Sequence, residues 1–102
     1  MKLHLLHHDV VDASGTNISH WAENNGYAIE HTYLCNNEAL PAMEAFDWLI
    51  VMGGSQHAWE EDVHPWLSAE KKFIAQTLED NKIILGICFG AQLLAESLGA
   101  EV

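Results

Sequence analysis

The chain has 102 residues, enough for one domain and not two, and a domain of this size buries roughly 60 to 70% of its unfolded surface. Apolar residues make up 49%, and four Lys and Arg against fifteen Asp and Glu leave a net charge of −11. This is a globular and not a disordered composition, and it argues against a nucleic acid or an anionic membrane as partner. The two cysteines, Cys35 and Cys88, follow no metal-ligand spacing. With no secretory leader and no apolar run near the roughly 18 residues of a membrane span, the reading is a cytoplasmic protein with reduced thiols.

Short apolar runs alternate with stretches of helical spacing, the pattern of an α/β domain with a parallel sheet. Residues 3–7 form the first predicted strand and "HDVVDASGT" a loop. Ile18, Trp21 and Ala22 then mark one face of a short helix closed by Gly26. Residues 27–34 read as a second strand, polar at alternate positions and so nearer a sheet edge. "WLIVM" (48–52) is apolar throughout, as in a strand covered on both faces, and runs into Gly53-Gly54. An acidic loop follows to about His64. Pro65 suits a first helical position, and Leu67, Ile74 and Leu78 keep one face of the next helix apolar until "EDNK". "IILGI", from Ile83 to Ile87, is the fourth predicted strand, again buried in character on both faces. Beyond it Ala91, Leu94, Ala95 and Leu98 stand at helical spacing, with Gly99 as the cap.

The order strand, Gly86-Ile87-Cys88-Phe89-Gly90, helix matches the nucleophile elbow, in which a sharp turn exposes the nucleophile above the carboxyl end of a sheet. Gly86 and Gly90 have a steric reason: side chains two before and two after the nucleophile would collide where strand and helix come close. The helix that starts there directs free N–H groups and the positive end of its dipole toward Cys88, favouring the thiolate. Taken alone, the five letters also fit a buried cysteine in a glycine-flanked turn.

The wider context separates the two. "GICFGAQLLAESLGAEV", with "VMGGSQHAWEEDVHPWL" upstream, resembles the class I glutamine amidotransferases, and most closely stand-alone members similar to the amidotransferase domain of GMP synthase. The resemblance implies a flavodoxin-like three-layer α/β/α fold with a parallel sheet. It places the nucleophile on Cys88, the oxyanion hole on the backbone N–H groups of Gly54 and Phe89, and a substrate contact on Gln92 through the pattern G-x-C-x-G-x-Q. Such donors suit the tetrahedral intermediate at a glutamine amide, and a residue without Cβ at Gly54 lets the backbone come close. Glutamine as substrate and a synthase or other acceptor of ammonia are implied, with no cofactor and no metal.

The resemblance covers the whole chain but only about the first half of the family's domain. Residues 1–102 are therefore expected to be its N-terminal half, truncated before the His that acts as general base and the Glu that orients it. Such a chain is expected to be inactive alone. The alternative is a non-catalytic half-domain serving as an assembly or binding module. The protease- and chaperone-like branch of the same superfamily also has a cysteine elbow, but an acidic residue would be expected close before it, where this chain has "KIILGI".

Other constellations carry less. His57, three residues after Gly54, could stand in as a base, but an exposed loop histidine is the better reading. Glu60, Glu61 and Asp62 with His57 and His64 lack the rigid pairing of a metal site and read as a solvated acidic loop. His4, His7 and His8 end a strand near the site's face in a polar role. Cys35 reads as a small buried hydrophobe, and Trp21, Trp48 and Trp66 as core residues. With the flavodoxin-like strand order second, first, third, fourth, the fourth strand has an unpaired apolar edge, which predicts a homodimer or larger assembly.

Overall fold

The computed structural model describes residues 1–9 and 15–99. In it β1 (Lys2–His7) is buried from Leu3 onward on both faces, as only an interior strand can be. Its neighbours are β2 (Ala28–Tyr33), in register from Lys2 opposite Ala28 to His7 opposite Tyr33, and β3 (Trp48–Val51), with Leu3 opposite Trp48 and Leu6 opposite Val51. β4 (Ile83–Gly86) pairs with β3, Trp48 opposite Ile83 and Val51 opposite Gly86. All pairs are parallel and the order is β2-β1-β3-β4, the flavodoxin-like order expected from the sequence.

Helices cover both faces. On one, α2 (Pro65–Glu79) and α3 (Phe89–Ser97) contribute Leu67, Ile74, Phe89 and Leu93 to a core with Leu6, Leu49 and Val51 of the strands and Phe46. On the other, α1 (Gly15–Asn24) packs Ala22 and Ile18 against Leu3, Leu5, Ile50 and Met52. Pro65 does open its helix. Residues 10–14, in the middle of the expected first loop, lie outside the described residues, as do 100–102.

Four expectations change. β4 is not covered on both faces: Ile84 packs on the α2/α3 core, while Ile83 and Leu85 point the other way and are 49% and 43% exposed. The physical reason is its place at the sheet edge, where the short α1 does not cover it fully. The inward face of α3 is carried by Phe89, Gly90 and Leu93, whereas Ala91 and Leu98 are exposed, because the elbow rotates the helix so that its first turn backs onto β3. Trp21 is 44% exposed, stacked edge-on against Tyr27 and Trp48 at the rim of the α1 core. Cys35, in a short 3-10 turn after β2 (Leu34–Asn36), is half-buried because Leu34 takes the inward position there.

Candidate functional site

The elbow can form because its glycines remove the side chains that would block it. A Cβ on Gly90 would overlap the carbonyl oxygen of Val51 and stand 2.7 Å from that carbonyl's carbon. A Cβ on Gly86 would meet the Gly90 oxygen at 2.6 Å and Ala91 Cα at 2.7 Å. Real side chains do not approach backbone so closely, so α3 lies against the ends of β3 and β4 only if both positions lack a side chain. Backbone bonds from Ile87 N–H to the Val51 oxygen (2.9 Å) and from Gly90 N–H to the Ile87 oxygen (2.9 Å) then fix the turn.

Cys88 sits at the cap position of α3 with φ 52 and ψ −111, a conformation that L residues rarely adopt. Strain of this kind, on the order of 1–3 kcal/mol, persists where the surroundings over-determine it, and such places cluster at functional sites. The thiol is exposed and free. Phe89, the next residue, is buried at 3%. Gln92 lies one turn along α3, exposed, its N–H bonded to the Cys88 oxygen at 3.1 Å.

The loop after β3 comes to the same place. A Cβ built on Gly53 would lie 3.5 Å from Cys88 Cβ, and Gly54 follows, exposed. The end of β1 pins this loop from the other side. The Asp9 carboxylate accepts from Ser55 N–H (3.2 Å) and the Gln56 side-chain amide (3.0 Å), and that amide also donates to the His8 oxygen (3.2 Å). The structure thus brings Cys88, Phe89, Gln92, Gly86 and Gly90 together with the Gly53-Gly54 loop.

His57 is not part of this group by its contacts: it is exposed and stacked on Trp59, rings 4.5 Å apart. The acidic loop is tied down through Lys71, which binds Glu61 and, on α3, Glu96, each at 2.8 Å. Among the described residues no cluster of His, Cys, Asp and Glu could hold a metal ion.

The histidines in and just after β1 are more deeply set than their sequence position suggests. His4, His7 and His8 are all buried. His8 Nε2 lies 2.6 Å from the Glu70 carboxylate, both side chains fully buried. Glu70 was not singled out from the sequence, yet a signal was there: it falls on the apolar stripe of α2 between Leu67 and Ile74, where a carboxylate needs a partner.

The family model of class I glutamine amidotransferases matches residues 6–102. The chain belongs to this family. It is 36% identical to a putative glutamine amidotransferase-like protein, YfeJ of Salmonella typhimurium, over all of this chain and 44% of that protein. The crystal structure of SMU.1228c superposes with a TM-score of 0.88 at 34% identity, over 99% of this chain and 44% of that one. A glutamine amidotransferase from Thermotoga maritima superposes with a TM-score of 0.91 at 25% identity, over the same shares. The chain thus spans less than half the length of these relatives. Among the described residues no helix is long and apolar enough to cross a membrane.

Proposed function

We propose that Cys88 is the nucleophile of glutamine hydrolysis in a domain of which residues 1–102 form the N-terminal half. Its sulfur attacks the carboxamide carbon of the glutamine side chain. The C–S bond forms, the C–N bond breaks, and ammonia leaves with the thiol proton; water then cleaves the thioester to glutamate and the free thiol. The observation that carries this reading is the elbow itself, an exposed thiol in a strained cap position at the start of α3 beside the Gly53-Gly54 loop. The N–H groups of Gly54 and Phe89 serve as donors to the developing oxyanion, each worth about 2.7–4 kcal/mol in the transition state. Gln92 contacts the glutamine, and a synthase takes up the ammonia. Two free thiols suit a reducing compartment, the cytoplasm.

The general base and its orienting carboxylate belong to the remainder of the domain. Within this chain His8 already faces Glu70 with one ring nitrogen and the Gly53 oxygen with the other, and His57 is stacked on Trp59. The 102 residues alone should release no ammonia from glutamine above background. A diazoketone analogue of glutamine, which alkylates a thiol directly, should modify Cys88 and spare Cys35 in peptide mass spectrometry. Modification of Cys35 alone would overturn the assignment, and steady ammonia release that Cys88→Ala abolishes would show that the base lies within the chain.

A second reading rests on a separate observation. Among the described residues the outer edge of β4 has no partner strand, and Ile83 and Leu85 stand exposed beside a groove of about 310 Å³ lined by Asn17, Ile18, Trp21, Trp48, Ile50 and Leu85. We propose that two copies of this chain pair antiparallel along β4 about a two-fold axis. Leu85→Lys should break the pair. Ile84 is the poorer probe, because its side chain belongs to the α2/α3 core. A folded monomer in light scattering at micromolar concentration would exclude the pairing.

A further inference from the structure

The hydrogen bonds of His8 bear on the oxyanion loop. Nε2 meets the Glu70 carboxylate at 2.6 Å, and Nδ1 lies 3.3 Å from the Gly53 carbonyl oxygen. The ring is wedged edge-on against Phe89, centroids 4.8 Å apart, and tilted against Trp66 at 5.5 Å. A carbonyl can only accept, so Nδ1 must carry a hydrogen to bond it. The roles of the two ring nitrogens depend on the tautomer; a ring protonated only at Nε2 would set Nδ1 and the Gly53 oxygen face to face as two acceptors, so the contact selects a ring with hydrogen on Nδ1, which then points at Gly53.

The carbonyl of Gly53 and the N–H of Gly54 belong to one planar trans peptide unit and point in opposite directions. Holding one fixes the other. Between two glycines that unit has few steric restraints of its own, and Gly54 is exposed.

We infer that His8, oriented by Glu70, is a positioning residue that sets the direction of the Gly54 N–H and so prepares one donor of the oxyanion hole. The role of that N–H rests on the proposed glutaminase reading; its orientation by His8 does not, and the two can fail separately.

The test uses the whole chain and the order parameters of backbone amides from amide-nitrogen relaxation by NMR. Asn places a donor near the position of Nδ1 and Gln one near Nε2, so His8→Asn keeps the bond to Gly53 while His8→Gln keeps the partner of Glu70. The order parameter of the Gly54 amide should stay near wild type in His8→Asn. In His8→Gln and His8→Phe it should drop from the rigid range of about 0.85 toward about 0.6. Amides of β1 and β3 supply the rigid reference. A role confined to satisfying Glu70 predicts the reverse order, with Gln harmless and Asn not, and that result would overturn the inference. So would an unchanged Gly54 order parameter in both. If His8→Asn does not fold, the same pair is compared in a Glu70→Leu background, where the carboxylate no longer needs a partner. Failure of the diazoketone to modify Cys88 would count against the glutaminase reading and leave this measurement standing.

Discussion

The two faces of the sheet are made from the same strands and finished differently. On the α2/α3 face, Leu6, Leu49 and Val51 meet two helices, and every one of these side chains is at or below 2% exposure. On the α1 face, Leu3, Leu5 and Ile50 are equally buried over the centre, but toward β4 the cover gives out. Trp21, Ile83 and Leu85 stand in solvent, and the buried Nε1 of Trp48 finds no acceptor among the described residues. The finished face is the one that braces the elbow, since Phe89 and Leu93 are part of its core. Geometry at Cys88 is therefore secured by packing that this chain supplies itself, while the open face is where another surface could be added without disturbing it.

The contrast is broken most directly by truncating one side chain on each face. Leu93→Ala removes a fully buried leucine from the braced face and should lower stability by about 2–5 kcal/mol. Leu85→Ala, at 43% exposure on the open face, should change a monomer by no more than about 0.5 kcal/mol. Urea unfolding monitored by circular dichroism measures both. Comparable losses would mean that the open face is covered in solution, as dimerisation would make it.

Two glycines of the site sharpen the same comparison. Gly90→Ala drives a methyl into the Val51 carbonyl and should cost about 1–3 kcal/mol or somewhat more, since a strand backbone cannot give way cheaply. At Gly53 the added methyl would meet only ordinary contacts, 3.5 Å from Cys88 Cβ and 3.6 Å from the Ile87 oxygen, so Gly53→Ala should leave stability within about 0.5 kcal/mol. Equal midpoints for the two variants would remove the steric account of the elbow.

A smaller effect should separate the thiols. Cys88 is exposed and Cys35 half-buried, so iodoacetamide should label Cys88 first in the folded chain and lose that preference in urea. Prior labelling of Cys35 in the native state would contradict the exposed elbow.

These contrasts also mark what could be read in the sequence. The elbow was legible because its constraint is local: Gly86, Cys88 and Gly90 lie within five residues, and their spacing states the clash they avoid. The strand order followed from the alternation of apolar runs and the resemblance together. Burial of β4 did not, because "IILGI" has the composition of a covered strand and coverage depends on what lies beside it. The face of α3 was misjudged in part for a related reason: helical spacing gave a stripe through Ala91, Leu94, Ala95 and Leu98, of which Leu94 does pack against the core, but the turn at Cys88 sets the helix rotation, brings Leu93 inward and leaves Ala91 and Leu98 exposed. His8 and Glu70 are 62 positions apart, and only the crossing of α2 over the end of β1 brings them together.

The weakest of these differences should be a dependence on pH across the β1–β2 seam. His4 is held against the Thr32 hydroxyl at 2.7 Å, and its pKa is lowered, by burial first; the charge of Glu30 opposes the shift and His31 and His7 add to it. His31 is exposed overall, but its Nδ1 turns against His7 Nε2 at 2.8 Å, and its pKa is lowered by burial and then by His7. In the unfolded chain both histidines titrate near 6.5. As pH falls through that value the unfolded state takes up protons that the folded state still refuses, so stability rises with pH across this window and is lost on acidification. Above it both states are neutral at these positions and the dependence vanishes. The midpoint of urea unfolding should therefore fall between about pH 7.5 and about pH 5.5, above the ordinary range of carboxylates, with an unchanged slope. His4→Gln, which keeps a polar partner for Thr32 without a titrating group, should flatten part of the decline and His31→Gln another part. A midpoint that rises on acidification would mean that the folded seam accepts the proton more readily than the open chain, and a decline untouched by both variants would place its origin outside β1 and β2.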